Sequence, residues 1–366
     1  MGVMPGILEI RAGSSGASTM AGHHRHVRLR ARRLLRLLAD KKNILITTHE
    51  YPDPDALASV LGMHTLLTQK LPDAVVQMSV KGQIGGGLNQ EFINEAKLKL
   101  LPWNEKTLKD FDAIVLLDVQ PAMDYCPLPT DILPLVVVDH HSNRGRRLKL
   151  PFSDVRSEVG ACASIIFSYF AELQLPVKPS VGAVLLFGIE SDLSGSAGTP
   201  GELDNMALSS LHLSADMPKL YRMRYVDLPQ SYYIAYARAL QNAVYYDSAI
   251  ASYMDQVDSM EKPAVMADFL LRFDNVQWAL VSGVLGNRML LSLRTSSNKF
   301  SAAEMMRRLV RHLGTGGGHR TKAGGVIHLE NGSPAEIERI RKILRRRYLR
   351  ALRIKQSRGQ RLVPAE

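Results

Sequence analysis

Four times in the first half of the chain an apolar, β-branched run of four to seven residues is followed by a stretch of helical period, and three of the four runs stop at Asp or His. The runs are Asn43–His49, Ala74–Val80, Ala113–Asp118 and Leu135–Asp139. Strands apolar along their whole length, alternating with helices, predict a mainly parallel sheet covered on both faces, because an alternating pattern is needed only where one face meets water. Sheets of that class place ligands at the carboxyl ends of their strands. Here those ends carry the ionisable residues.

At 366 residues the chain is long enough for two cores. We expect an α/β fold. An N-terminal domain over 26–205 is followed by a helical linker over 206–245, where Met, Leu and Tyr recur at helical spacing, and then by a smaller α/β domain over 246–352, with the active site in the cleft between the two. The smaller domain reads as a strand at 248–254, a helix at 264–271, strands at 276–285 and 289–293 around Gly286-Asn287, a helix at 302–313, a glycine loop, a strand at 325–329 and a basic helix at 334–354. Residues 1–25 are Gly/Ser-rich without periodicity and read as a disordered leader, with Met20 an alternative start. Leu and Arg from Val27 to Leu38 read as an amphipathic helix, and 353–366 as a basic tail.

The net charge of +11 sits at the ends. Residues 1–40 carry seven Lys/Arg against two acids and residues 334–366 eleven against three, so the central body is close to neutral. A long nucleic-acid track needs cations along its groove to displace counterions from many phosphates, so this body suits a short substrate, while the basic ends could add weak, salt-sensitive contact with nucleic acid. Cys126 and Cys162 form no C-x-x-C pair, which excludes a disulfide framework and fits a reducing compartment. No apolar run is long enough to span a membrane, and the expected location is the cytoplasm. A homodimer is left open.

Chemistry is concentrated in a few clusters. His49-x-x-x-Asp53-x-Asp55 lies where a strand hands over to a helix, and its prolines stiffen the turn. Asp118 and Asp139-His140-His141 end apolar strands, and Asp192 follows an apolar segment. Each acid alone could be a turn or helix-cap residue. Together they would bury repelling charge unless a cation compensates it. Mixed carboxylate and imidazole ligands without thiolate favour Mn²⁺, Mg²⁺ or Fe²⁺/Co²⁺ over structural zinc. Six candidate ligands exceed one cation's usual protein share, so two divalent cations roughly 3.5–4 Å apart are expected. In the second half, Gly314-Thr-Gly-Gly-Gly318-His319-Arg320-Thr-Lys322 exposes backbone N–H groups beside cationic side chains, a pattern suited to phosphate, and Arg294 ends a strand nearby.

The ordered set His49, Asp53, Asp55, Asp118, Asp139-His140-His141 and Asp192, followed by Gly-Gly-Gly-His319, resembles the DHH phosphoesterases that carry a DHHA1 domain, over roughly residues 40–330. Among them it looks closest to the short nanoRNase/pAp phosphatase type. The resemblance implies that His49 and Asp53 bind one Mn²⁺, that Asp55, His140 and Asp192 bind the other, and that Asp118 bridges. It further implies that Asp139 orients His140, that His141 lies near the scissile phosphate, and that Arg294, Gly317, Gly318, His319 and Arg320 hold the substrate. Ala58 stands where glycine is usual, the run after Asp192 is unfamiliar, and Arg320 and Lys322 are more basic than the family habit. The implied activity is hydrolysis of short oligoribonucleotides or nucleoside 3′,5′-bisphosphates. A cyclic- or linear-dinucleotide phosphodiesterase is the nearest alternative, and a nucleotide- or RNA-binding protein without turnover is the alternative of another class.

Overall fold

In a computed structural model of the chain, the described residues are 30–82, 88–121, 123, 125–141, 148–193, 200–297, 299–318, 320–355 and 358–364. The leader, most of the segment after Asp192, and His319 lie outside them. Residues 30–38 form a helix, α1, whose Leu34 and Leu38 are fully buried in the first core.

The first sheet contains β1 (Asn43–Thr48), β2 (Val75–Ser79), β3 (Leu100–Leu101), β4 (Ala113–Leu117), β5 (Val136–Asp139) and β6 (Phe152–Val155). Every pairing in it is parallel, in the order β3-β2-β1-β4-β5-β6. The order reverses at β1, and the crevice at such a switch is where sheets of this kind take ligands. β4 and β5 are buried along their whole length, which accounts for their unbroken apolar sequence.

α2 (Pro54–Lys70), α3 (Leu88–Ala96), α4 (Cys162–Glu172) and α5 (Pro179–Leu193) belong to this domain. α2 starts sharply because Asp53 caps it, accepting a hydrogen bond from the Ala56 N–H, while Pro54 occupies the first turn, where a missing N–H costs least. α5 crosses α2 closely at Gly188, where an added Cβ would lie 2.6 Å from the Ala58 Cβ.

The helical stretch expected over 206–245 divides into three helices. α6 (Glu202–Ser214) and α7 (Met217–Arg224) bury Leu211, Leu220 and Met223 in the first core, whereas α8 (Gln230–Gln241) buries Ala235 and Ala239 in the second. The second domain is a seven-stranded mixed sheet. Its strands are β7 (Val244–Tyr246), β8 (Ala249–Gln256), β9 (Trp278–Leu285), β10 (Arg288–Thr295), β11 (Thr315–Gly318), β12 (Lys322–His328) and β13 (Gln360–Arg361), in the order β11-β12-β10-β9-β8-β7-β13. α8 and α9 (Lys262–Leu270) line one of its cores, and α10 (Ala302–Val310) and α11 (Pro334–Ala351) the other. Among the described residues no helix is long and apolar enough to cross a membrane.

The glycine run, expected to be a loop, is largely the edge strand β11, paired with β12 from Thr315↔Val326 to Gly318↔Ala323. Its glycines let the edge strand lie close on its neighbours: a Cβ on Gly316 would come within 2.8 Å of Met306. Gly318 turns the chain back at φ +138°, a conformation other residues rarely adopt. Four short strands, β3, β6, β7 and β13, have too few apolar residues to stand out in the sequence.

Candidate metal centre

The acidic and histidine side chains converge at the carboxyl ends of β1, β4 and β5, beside the last turn of α5. Three overlapping groups have ligand atoms within 4.8 Å of one another: His49, Asp53 and Asp118; Asp55, His140 and Asp192; and Asp118, His140 and His141. Asp118 lies at the middle. It leaves β4 with φ 58°, an uncommon backbone for a non-glycine residue, while its N–H still bonds to the Val138 carbonyl at 2.9 Å. One carboxylate oxygen faces each side: Oδ2 is 3.6 Å from His49 Nε2 and Oδ1 is 3.2 Å from His140 Nε2. His140 Nε2 is also 3.5 Å from Asp192 Oδ2.

Supporting contacts hold these groups. The Cys162 and Ala163 N–H groups, at the start of α4, donate to Asp55 at 2.7 and 2.9 Å. His49 Nδ1 is 2.9 Å from the Glu50 carbonyl and His140 Nδ1 is 3.2 Å from the Val159 carbonyl, so each ring donates there and turns Nε2 into the cluster.

Asp139 departs from expectation. Its carboxylate is found on the second ring: Oδ1 meets His141 Nδ1 at 2.6 Å and accepts from the backbone N–H of His140 at 2.8 Å. The cause is local geometry. A carboxylate folded back over the two following amides faces the second ring, while the first ring turns to Val159. Gln120, which the sequence did not single out, closes this arrangement by donating to Asp139 Oδ2 at 2.6 Å and to the His141 carbonyl at 2.9 Å. One glutamine after a strand end carries no sequence signal distinguishing it from a turn residue.

Charge in the cluster is out of balance without a cation. Burial, then the negative charges of Asp118 and Asp192, raise the Asp55 carboxyl well above its ordinary value. Burial alone would lower His49, but the Asp118 carboxylate facing its Nε2 at 3.6 Å and the charge of Asp53 outweigh this and push it up to about 9. His140 is likewise raised, by Asp118 against burial. Burial would raise Asp118, but the facing imidazoles hold it below the usual carboxylate range. Asp118 Oδ1 is buried and, among the described residues, accepts no hydrogen bond of regular geometry. Four carboxylates and two imidazoles without sulfur suit hard divalent cations, and ligand atoms 3.2–3.6 Å apart compare with the about 3 Å between neighbours on an octahedral ion with ~2.1 Å bonds. The residues fit such ions.

The second domain reaches this centre through Lys322, whose Nζ donates to the Asp192 carbonyl at 2.8 Å and the Ser191 carbonyl at 3.3 Å and lies 3.6 Å from Asp192 Oδ1. The sequence suggested phosphate oxygens as its partner; in the structure it is set on the end of α5. Arg294 is paired with Lys322 in the β10–β12 ladder, so both side chains leave the same face, and its Nε bonds to Asp268 at 2.6 Å. Gly317 has open space where a side chain would be, and Arg320 is exposed. His319 lies outside the described residues.

Comparison with known proteins follows this layout. Residues 43–189 match the DHH family N-terminal domain, and residues 247–348 match the DHHA1 domain. An uncharacterised protein of Methanocaldococcus jannaschii is 29% identical over 291 residues, covering 79% of this chain and 59% of that protein. A probable manganese-dependent inorganic pyrophosphatase of Lactococcus lactis is 26% identical over 157 residues, 42% of this chain and 49% of the relative. The chain thus spans about half to three-fifths of the length of these relatives. An exopolyphosphatase-related protein of Bacteroides fragilis shares the fold, with a TM-score of 0.69 at 18% identity over 90% of this chain and 98% of that one. With both domain matches in order and the ligand cluster at their junction, the chain belongs to the DHH family, in the form that carries a DHHA1 domain.

Proposed function

We propose that the protein is a two-metal phosphoesterase that hydrolyses short oligoribonucleotides or nucleoside 3′,5′-bisphosphates. The observation carrying the proposal is Asp118, with one oxygen toward His49 and the other toward His140, between two lobes of ligands. In this reading His49 and Asp53 hold one cation, Asp55, His140 and Asp192 hold the other, and Asp118 is shared. A pair of divalent cations there, Mn²⁺ by the likeness to a manganese-dependent relative, supplies an activated water and neutralises charge on the phosphate.

The remaining residues orient and move protons. Asp139 accepts from His141 Nδ1 and so fixes the ring and its tautomer; in this reading Nε2 takes a proton beside the scissile phosphate and returns it to the leaving oxygen, the role a carboxylate-held imidazole is suited to. Arg294, on the Lys322 face, exchanges Asp268 for a substrate phosphate, and the family resemblance assigns Gly317, Gly318, His319 and Arg320 to substrate binding as well. The near-neutral body supports a short substrate. Exposed Arg339, Lys342, Arg345, Arg346 and Arg350 on α11 add salt-sensitive contact with nucleic acid. The cytoplasm is the location this activity fits.

Metal-stripped protein reconstituted with Mn²⁺, Mg²⁺ or Co²⁺ should be offered a nucleoside 3′,5′-bisphosphate, di-adenylate, cyclic di-adenylate, pyrophosphate and a long single strand. Turnover of the first two with Mn²⁺, lost in Asp118→Ala, is expected. If no phosphoester is hydrolysed under any metal, the proposal fails.

A further inference from the structure

A cavity of about 790 Å³ lies between the two domains, at the carboxyl end of β2 and β3. One wall comes from the first domain, with Leu101, Pro102 and Trp103; the other comes from the second, with Asp258, Asn287 and Arg288. Its position relative to the metal centre follows from strand register. Ile46 pairs with Met78, which sets Val80, on the cavity wall, alongside Thr48, the residue before His49. Gly82, also on the wall, approaches Tyr51: an added Cβ would lie 3.2 Å from that ring, two residues before Asp53. The cavity therefore borders the His49–Asp53 loop.

The second domain spans the same edge. Arg288 and Arg294 are six residues apart in β10 and so leave one face of the sheet, about 20 Å apart at ~3.4 Å per residue. Arg294 stands beside Lys322, which touches Asp192; Arg288 stands in the cavity. Arg288 makes no salt bridge among the described residues, in contrast to Arg294.

We propose that this cavity takes a nucleobase of the substrate, the base whose ribose is attached to the scissile phosphate or to the one next to it. The inference rests on the phosphoesterase reading and assigns it a substrate class. Trp103, with Leu101 and Pro102, offers a flat apolar wall against which a base stacks, and stacking on an aromatic face is tolerant of base identity. Asp258 and Asn287 offer an acceptor and an amide to the base edge, and Arg288 offers a guanidinium to a flanking phosphate. The volume falls in the range of small-molecule sites. Because the walls belong to different domains, a base lodged there would hold them together over the metal centre.

The test compares a substrate with bases and one without. For the Mn²⁺-loaded protein, Trp103→Leu should raise KM for di-adenylate on the order of tenfold, and Arg288→Gln should raise it in the same direction, while turnover of bis(p-nitrophenyl) phosphate stays within about twofold in both. Independently of turnover, adenosine 5′-monophosphate should quench the fluorescence of the unaltered protein and ribose 5-phosphate should not, and Trp103→Leu should abolish the quench; the other tryptophan, Trp278, is buried in the second core. Unchanged KM in both variants with no quench overturns the base pocket while leaving the hydrolase intact. Absence of turnover of both substrates by the unaltered protein overturns the phosphoesterase reading itself, a result the fluorescence arm separates from failure of the pocket.

Discussion

Asp139 illustrates how one torsion choice assigns roles. Its carboxylate lies on the His141 ring and on two backbone amides, so the imidazole it controls is the second of the adjacent histidines. Asp139→Asn should keep the fold and the bound metal but lower kcat by about 10–100-fold, because an amide cannot hold the His141 Nδ1 proton as a carboxylate does. Comparing kcat with metal content in the variant checks this; loss of metal instead of turnover would move Asp139 into the ligand set. Local sequence made the Asp-His-His triplet legible as a site, and the family resemblance put His140 under the acid; the fold of the Asp139 carboxylate back over the two following amides gave it the His141 ring.

At the scale of elements, the α2–α5 crossing sets the distance between ligands far apart in sequence. Asp55 opens α2 and Asp192 closes α5, and Gly188 is the point where the helices touch. Gly188→Val should cost about 1–3 kcal/mol in denaturant unfolding by overpacking against Ala58 and Pro54, and should weaken Mn²⁺ binding by moving Asp192 from His140. A second cluster fixes β6 to α4: Asp154, fully buried, accepts from Arg156 at 2.9 and 2.7 Å and from the Tyr169 hydroxyl at 2.6 Å. Burial would raise the Asp154 carboxyl, but Arg156 and Tyr169 together hold it below its ordinary value. Its folded-state pKa being lower than in the unfolded chain, its contribution is complete above about pH 4 and is lost as pH falls through the depressed value. Acid unfolding of the protein should show that loss, and Asp154→Ala should flatten it while costing about 3–5 kcal/mol, since Arg156 is left buried without its partner.

For the whole molecule, Lys322 is a contact that ties the second domain to the metal centre. It caps the carbonyl end of α5, where a cation interacts favourably with the helix dipole, and it lies beside a metal-ligand carboxylate. Lys322→Met should loosen the two domains, seen as a larger radius of gyration in small-angle scattering of the metal-free protein and faster proteolysis between α7 and α8, with KM raised more than kcat is lowered. An unchanged scattering profile would show that the domains are held by other contacts.

The two-domain α/β plan was legible in the sequence because each buried strand had to be apolar throughout and each interruption of that pattern had to be either solvent or chemistry. For the same reason the acids and histidines at strand ends could be picked out before any coordinate was known. Contacts depending on direction could not. Gln120 on Asp139, the α4 amides on Asp55, Lys322 on α5 and Arg294 on Asp268 join residues whose side-chain aim is set by crossing angles and register, which leave no periodic trace. The glycine run was visible, but its pairing as an edge strand was decided by the neighbouring β12 and by the space left above Met306. Composition and periodicity determined which residues must meet; packing of helices and domains determined at which atoms they do.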